Sequence, residues 1–225
     1  MLAANNFKTA RNSKRIKLSR IYCSFSRLIF FTKFMTKEKR YKWRREGYKE
    51  STKGLLMVNT GDGKGKTTCA LGLMMRAAGR GMRCCMIQFM KSKTDRYGEH
   101  ESAEELGIEI HTMGDGFTWD TNNPEQDIKT SQETWGLCVE KMRSEEYDLL
   151  VFDELVYVLD YKFLDLQEVI AEIKAVREKQ PNLHLVLTGR NAPAELIAAA
   201  DLVTEMKEIK HPFNAGIYAQ QGIEF

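Results

Sequence analysis

Long apolar runs are missing from this chain of 225 residues. The most apolar stretch free of Gly and Pro, Leu28–Phe34, is interrupted by Lys33 and falls far short of the ~20 residues that a bilayer-spanning helix requires. No membrane span is expected. Cysteine is sparse: Cys23, Cys69, Cys84, Cys85 and Cys138 form no C-x-x-C and no paired spacing. That pattern argues against a disulfide framework and against cysteine-bound metal, and it fits a reducing, cytoplasmic compartment. The four histidines (His100, His111, His184, His211) lack metal-ligand spacing such as H-E-x-x-H, so no metal is assigned to them. His184, inside an apolar run, reads as a packed residue.

Acidic residues are absent from residues 1–34, and only 3 stand against 16 Lys/Arg in residues 1–53, a net of +13. Residues 54–225 carry a net of −10, so two different segments are joined. A basic arm suits nucleic acid or an anionic membrane, and equally a lid drawn to an acidic body or to a polyphosphate ligand. Met35 followed by Thr36-Lys37-Glu38-Lys39-Arg40 reads like an ordinary N-terminus. Residues 1–34 are therefore open to three readings: translation from an upstream start, an organelle transit peptide, or a functional arm.

What is present is an ordinary globular composition, 43% hydrophobic and 29% charged, enough for one large domain over residues 54–225. Short apolar, β-branched runs alternate with longer helical patterns, the signature of a parallel sheet covered on both faces. Six strands are expected, at Leu55–Asn59, Arg83–Phe89, Ile108–Met113, Leu149–Asp153, Leu183–Thr188 and Leu202–Glu205. Helices are expected at Lys66–Arg80, Glu99–Leu106, Pro124–Ser144, Leu166–Lys179 and Ala194–Ala199. The Gly-, Asp- and Asn-rich stretch 114–123 reads as a functional loop.

Directly between the first strand and the first helix lies Thr60-Gly61-Asp62-Gly63-Lys64-Gly65-Lys66-Thr67-Thr68. Glycines let backbone N–H groups turn toward an anion, the helix N-terminus adds partial positive charge, Lys66 adds a full charge, and the Thr67 hydroxyl suits Mg²⁺. The strict pattern G-x-x-x-x-G-K-[ST] asks for glycine where this chain has Thr60, so the loop is a variant. A second piece, Leu149-Leu150-Val151-Phe152-Asp153-Glu154, ends an apolar strand in two carboxylates, at the end of the sheet where ligands bind in open α/β folds. One of them is expected near Thr67 on Mg²⁺. Thr188-Gly189-Arg190 ends another strand similarly, and Arg190 is a candidate for sensing phosphate.

Together with Gln88-Phe89-Met90-Lys91, Gly116-Phe117-Thr118-Trp119 and the tail from His211 to Phe225, these motifs resemble the ATP:corrinoid adenosyltransferases that make coenzyme B12. The resemblance spans roughly residues 55–225. It implies a P-loop, RecA-like fold with a six-stranded, mostly parallel sheet. It also implies transfer of the 5′-deoxyadenosyl group from ATP to the Co(I) of a corrinoid, with release of triphosphate. On this resemblance Lys66 and its loop grip the triphosphate, Thr67, Glu154 and Asp153 serve Mg²⁺, and Lys64 and Arg76 are further candidates for phosphate or ribose contacts. Phe117 and Trp119 are implied to form an aromatic wedge that displaces the lower axial ligand of Co(II), easing its reduction. A reductase such as a flavoprotein is the implied electron donor, and a homodimer the implied assembly. The phosphate loop and the two carboxylates also suit a conventional ATPase or small kinase, and the basic arm suits a RecA-like nucleic-acid-binding ATPase. Those alternatives differ in product: only the adenosyltransferase releases triphosphate.

Overall fold

The computed structural model describes residues 53–114 and 123–224. Six strands, β1 (Leu56–Thr60), β2 (Cys84–Ser92), β3 (Glu109–Gly114), β4 (Leu149–Asp153), β5 (His184–Thr188) and β6 (Leu202–Glu205), form one sheet in the order β3-β2-β4-β5-β1-β6. All five neighbouring pairs are parallel, so the expected "mostly parallel" sheet is wholly parallel. The helices are α1 (Lys66–Ala78), α2 (Gly98–Leu106), α3 (Pro124–Arg143), α4 (Leu155–Asp160), α5 (Leu166–Lys179) and α6 (Ala194–Ala199), followed by a 3₁₀ turn at Pro212–Ala215. The expected α/β class holds: a six-stranded parallel sheet with helices packed on both faces. No helix among the described residues is long and apolar enough to cross a membrane.

Strand side chains alternate between two cores, as the two-residue period of a strand demands. Leu56, Val58, Cys85, Ile87, Leu150, Phe152, Leu185 and Leu187 pack with buried residues of α3, α4, α5 and α6. Met57, Cys84, Met86, Leu149, Val151 and Val186 face the other way, onto Ala70, Met74 and Ala77 of α1. Both faces are therefore dry, which is why these strands read as continuous apolar runs.

Three departures from the sequence reading exceed one residue. Helix α1 ends at Ala78 instead of Arg80, because Gly79 and the left-handed Gly81 (φ 80°) close it. Strand β2 continues past Phe89 to Ser92, after an irregularity in its pairing with β3. Gly114 permits that continuation: a Cβ there would stand 2.5 Å from the Phe89 carbonyl oxygen. Helix α4 was not expected at all, since Leu155-Val156-Tyr157-Val158-Leu159 has the β-branched and aromatic content of a strand. Glu154, in the left-handed region at φ 63°, turns the chain out of β4 so that these residues bury against the sheet as a helix.

Phe152 is fully buried and meets Trp135 of α3 edge-on, with ring centroids 6.2 Å apart. Phe152→Ala is expected to lower unfolding stability by about 3–5 kcal/mol, read as a reduced urea midpoint followed by tryptophan fluorescence.

Candidate functional site

The loop after β1 owes its shape to the chain that follows β6. The Gly63 N–H donates to the Met206 carbonyl at 2.7 Å, and the Met206 N–H donates to the Thr60 carbonyl at 2.7 Å. A Cβ on Gly61 would lie 2.5 Å from the Met206 oxygen, and one on Gly63 would lie 2.8 Å from it. Gly61 (φ 94°) and Gly65 (φ 107°) also hold left-handed backbone, where a side chain is strained. Thr60 has no such need. It closes β1 as a buried strand residue whose hydroxyl accepts the Ala192 N–H at 3.1 Å. That is the physical content of the departure from the strict glycine pattern.

Lys66 opens α1, and its side chain curls back into the loop, donating to the carbonyls of Gly61 (2.7 Å) and Gly63 (2.9 Å). Burial lowers its pKa; Glu154, Asp62 and Asp153 work against that, and Arg190 reinforces it. The residue thus sits at the helix N-terminus, where backbone N–H groups converge on an anion. Thr68 is exposed beside it on α1, and Asp62 is exposed in the loop. Lys64 pairs with Glu224 of the tail at 2.8 Å. Arg76 lies in the exposed last turn of α1, ten residues beyond Lys66, or about 15 Å along the helix axis. It is the candidate farthest along the helix from the loop.

At the same edge of the sheet, one side chain from each of five strands forms a polar row on the α1 face. Strand register aligns Thr112 with Gln88, Gln88 with Asp153, and Thr188 with Asn59. Asn59, Gln88, Asp153 and Thr188 are all buried. Asp153 is the centre. Its Oδ1 accepts the hydroxyls of Thr67 (2.8 Å) and Thr188 (2.7 Å), and the Gln88 amide nitrogen faces its Oδ2 at 3.5 Å. Glu154, next in the chain, donates its N–H to the Thr188 hydroxyl at 2.9 Å. Its carboxyl is pushed up to about 7 by burial and then by the Asp153 charge, against the pull of Lys66, Arg190 and Lys91.

The structure thus brings Lys66, Thr67, Asp153, Glu154 and Arg190 to one rim. Hydroxyl and carboxylate oxygens are the hard donors that Mg²⁺ prefers, and the 2.8 Å Thr67–Asp153 contact shows two of them already converging, so these residues fit that ion. Thr188, Gln88 and the Met206 backbone were not singled out individually from the sequence. The signal for Thr188 was a polar residue closing an apolar strand and that for Gln88 a polar residue inside one, though the register that aligns them is a tertiary property. Phe117 and Trp119 lie outside the described residues, as does the N-terminal segment 1–52.

A second cluster sits at the opposite end of the sheet, where donor atoms of Cys85, Glu109 and His111 lie within 4.8 Å of one another. Lys141 donates to Glu109 at 2.8 Å, and the Tyr147 hydroxyl also bonds it. Burial favours the neutral Glu109, yet the hydrogen bonds of Lys141, Tyr147 and His111 take its pKa down to about 2. Burial raises the Cys85 thiol to about 12. That is an ion-pair network with a protonated thiol beside it.

Comparison with known proteins finds relatives over most of the chain. A family model described as ATP:corrinoid adenosyltransferase BtuR/CobO/CobP matches residues 52–225. A corrinoid adenosyltransferase of Sinorhizobium sp is 42% identical over 195 residues, covering 85% of this chain and 89% of that protein. One from Pseudomonas aeruginosa is 40% identical over 175 residues, 77% of this chain and 84% of the relative. One from Escherichia coli is 35% identical over 198 residues, 84% of this chain and 99% of the relative.

The environment of Glu154 sets a pH dependence. An unfolded glutamate ionises near 4.5 and the folded one near 7, so the stability this group contributes is present in full below 4.5 and is lost as pH rises through 7. Each unit is equivalent to about 1.4 kcal/mol. Glu154→Gln, which never ionises, is expected to match the parent protein at pH 4.5 and to exceed it at pH 8, by on the order of 2 kcal/mol given the coupling to Asp153. Thermal denaturation at the two pH values without nucleotide or divalent ion measures the difference.

Proposed function

The chain belongs to the ATP:corrinoid adenosyltransferase family, and we propose that the rim built around Lys66, Thr67 and Asp153 is where it joins ATP to a corrinoid. The protein is an enzyme that transfers the 5′-deoxyadenosyl group of ATP to a corrinoid in coenzyme B12 synthesis. The observation that carries the assignment of the rim is the Thr67–Asp153 contact at 2.8 Å beside the buried Lys66, which joins phosphate loop and carboxylate strand in one place.

The chemistry is a displacement at carbon. The cobalt of the reduced corrinoid substrate supplies an electron pair to C5′ of ATP, the C5′–O bond breaks, and triphosphate leaves with the bonding pair. No side-chain base is needed. The protein's tasks are alignment of the two reactants and neutralisation of the leaving group. Lys66 and the loop N–H groups other than that of Gly63, which is held by the Met206 carbonyl, meet the triphosphate; release of Lys66 from the Gly61 and Gly63 carbonyls frees its ammonium for that contact. Arg190, whose charge is felt at both Lys66 and Glu154, and Lys64 add positive charge at the edge. Thr67, Asp153 and Glu154 would hold Mg²⁺, which when bound supplies further positive charge to the phosphates.

Phe117 and Trp119 are read as the dry wall against the corrinoid that removes the lower ligand of Co(II). A reductase such as a flavoprotein is read as the electron donor, a homodimer as the assembly and the cytoplasm as the location. Anaerobic incubation with ATP, Mg²⁺ and chemically reduced cob(I)alamin tests the whole reading. A light-sensitive alkylcobalamin spectrum and stoichiometric triphosphate are expected; release of phosphate or diphosphate alone would point to a hydrolase or kinase.

Lys66→Ala is expected to reduce turnover at saturating ATP by at least 100-fold with the melting temperature nearly unchanged, and near-parental turnover would remove the phosphate loop from the reaction. Phe117→Ala and Trp119→Ala are expected to slow the reaction that starts from cob(II)alamin and a reductant at least tenfold more than the reaction given preformed cob(I)alamin. Equal losses in the two assays would reduce these rings to pocket lining.

A further inference from the structure

The polar row continues beyond Asp153 into a network that the reaction does not use directly. Gln88 has no exposed surface, so its amide must find partners inside the protein. Its Oε1 accepts the Thr112 hydroxyl at 3.0 Å and faces His100 Nε2 at 3.0 Å. His100 Nε2 also lies 2.9 Å from the Thr112 hydroxyl oxygen. On the other side of the ring, His100 Nδ1 accepts the Tyr97 N–H at 2.9 Å. An accepting Nδ1 in a neutral ring puts the proton on Nε2, which makes that nitrogen a donor. Burial, the largest influence on this imidazole, favours its neutral form.

Two donors therefore converge on one oxygen of Gln88. Flipping the amide would turn its NH₂ group against both of them, so the orientation is locked and the N–H points at Asp153 Oδ2. At 3.5 Å the contact is long, and its effect is that of an oriented dipole more than of a strong bond. It acts on the carboxylate oxygen opposite the one that receives Thr67 and Thr188.

We propose that Gln88, locked by His100 and Thr112, is a positioning residue that sets the rotation of the Asp153 carboxylate and so keeps Oδ1 turned toward Thr67. The inference rests on the reading of Thr67, Asp153 and Glu154 as the divalent-cation holders. It also gives His100 and Thr112 a purpose at the rim although neither touches Asp153. Thr112 lies two residues before Gly114, where β3 ends, so the end of that strand is tied to the Asp153 side of the sheet through this network.

Mn²⁺ is a paramagnetic substitute for Mg²⁺, and its binding to the full-length protein in the presence of ATP is followed by electron paramagnetic resonance without any turnover. Gln88→Leu, similar in size and without the dipole, is expected to weaken Mn²⁺ binding about tenfold. His100→Leu is expected to do the same to a smaller degree, and His100→Gln, which restores a donor toward Gln88 Oε1, to recover most of the loss. Unchanged Mn²⁺ affinity in Gln88→Leu, in a background where Asp153→Asn abolishes binding, overturns the positioning role and leaves the cation reading intact. If Asp153→Asn also binds Mn²⁺ normally, it is the cation reading that falls, and the inference falls with it. Should Gln88→Leu fail to fold, the two His100 variants decide: equal affinities in them overturn the proposal, and loss with rescue supports it.

Discussion

A carboxylate kept almost out of water is the constraint around which this domain is arranged. Asp153 is 1% exposed, and an ionised group in such a place is tolerated only with hydrogen bonds around it. Thr67, Thr188 and Gln88 supply them from the first turn of α1, from β5 and from β2. Each supplier is itself held by its neighbours, so the requirement spreads outward through the rim. β5 lies between the phosphate-loop strand and the carboxylate strand, and that placement makes Thr188 the hinge of the arrangement. It donates to the Asp153 carboxylate and accepts the Glu154 backbone N–H, fixing one carboxylate and the backbone of the next residue with one hydroxyl.

The neighbouring carboxylates then behave differently although they are adjacent in the chain. Asp153 is surrounded by donors, whereas Glu154 receives burial and the repulsion of Asp153 and is driven up to about 7. Lys66 is affected by the opposing charges in turn, lowered by burial and restrained by Glu154. A rim of this kind is poised for a polyanion accompanied by a cation, because each incoming charge relieves an imbalance already present.

Much of this was legible in the residues. The glycine loop, Lys66 and the Asp153-Glu154 pair were readable because each rests on local order: apolar strand, turn, helix start. The six strands were legible because both faces of the sheet are buried, which leaves continuous apolar runs bounded by polar residues. What escaped was whatever depends on register or on backbone reversal. Helix α4 has a strand's composition and is a helix only because Glu154 turns the chain at φ 63°. Gln88 belonged to a motif of the resemblance but had no role of its own, and Thr112 looked like an ordinary polar strand residue, until the sheet placed them in line with Asp153. Thr60 stood out as a departure from a glycine pattern, and only the Ala192 contact explained it.

The strand order also imposes a schedule on synthesis. β1, with its phosphate loop, is the first of the six strands to leave the ribosome, yet it is flanked by β5 and β6, the last two. Until those emerge, its two edges have no partners, and the Met206 backbone that braces Gly63 does not yet exist. The nascent chain therefore carries a nearly complete nucleotide-binding motif that is unable to assume its working shape for most of translation. Long-range parallel pairing of this kind is slow to form and leaves apolar edges open meanwhile. Nucleotide capture thus waits on the closing of the sheet, and the ability to hold a triphosphate is acquired near the end of folding.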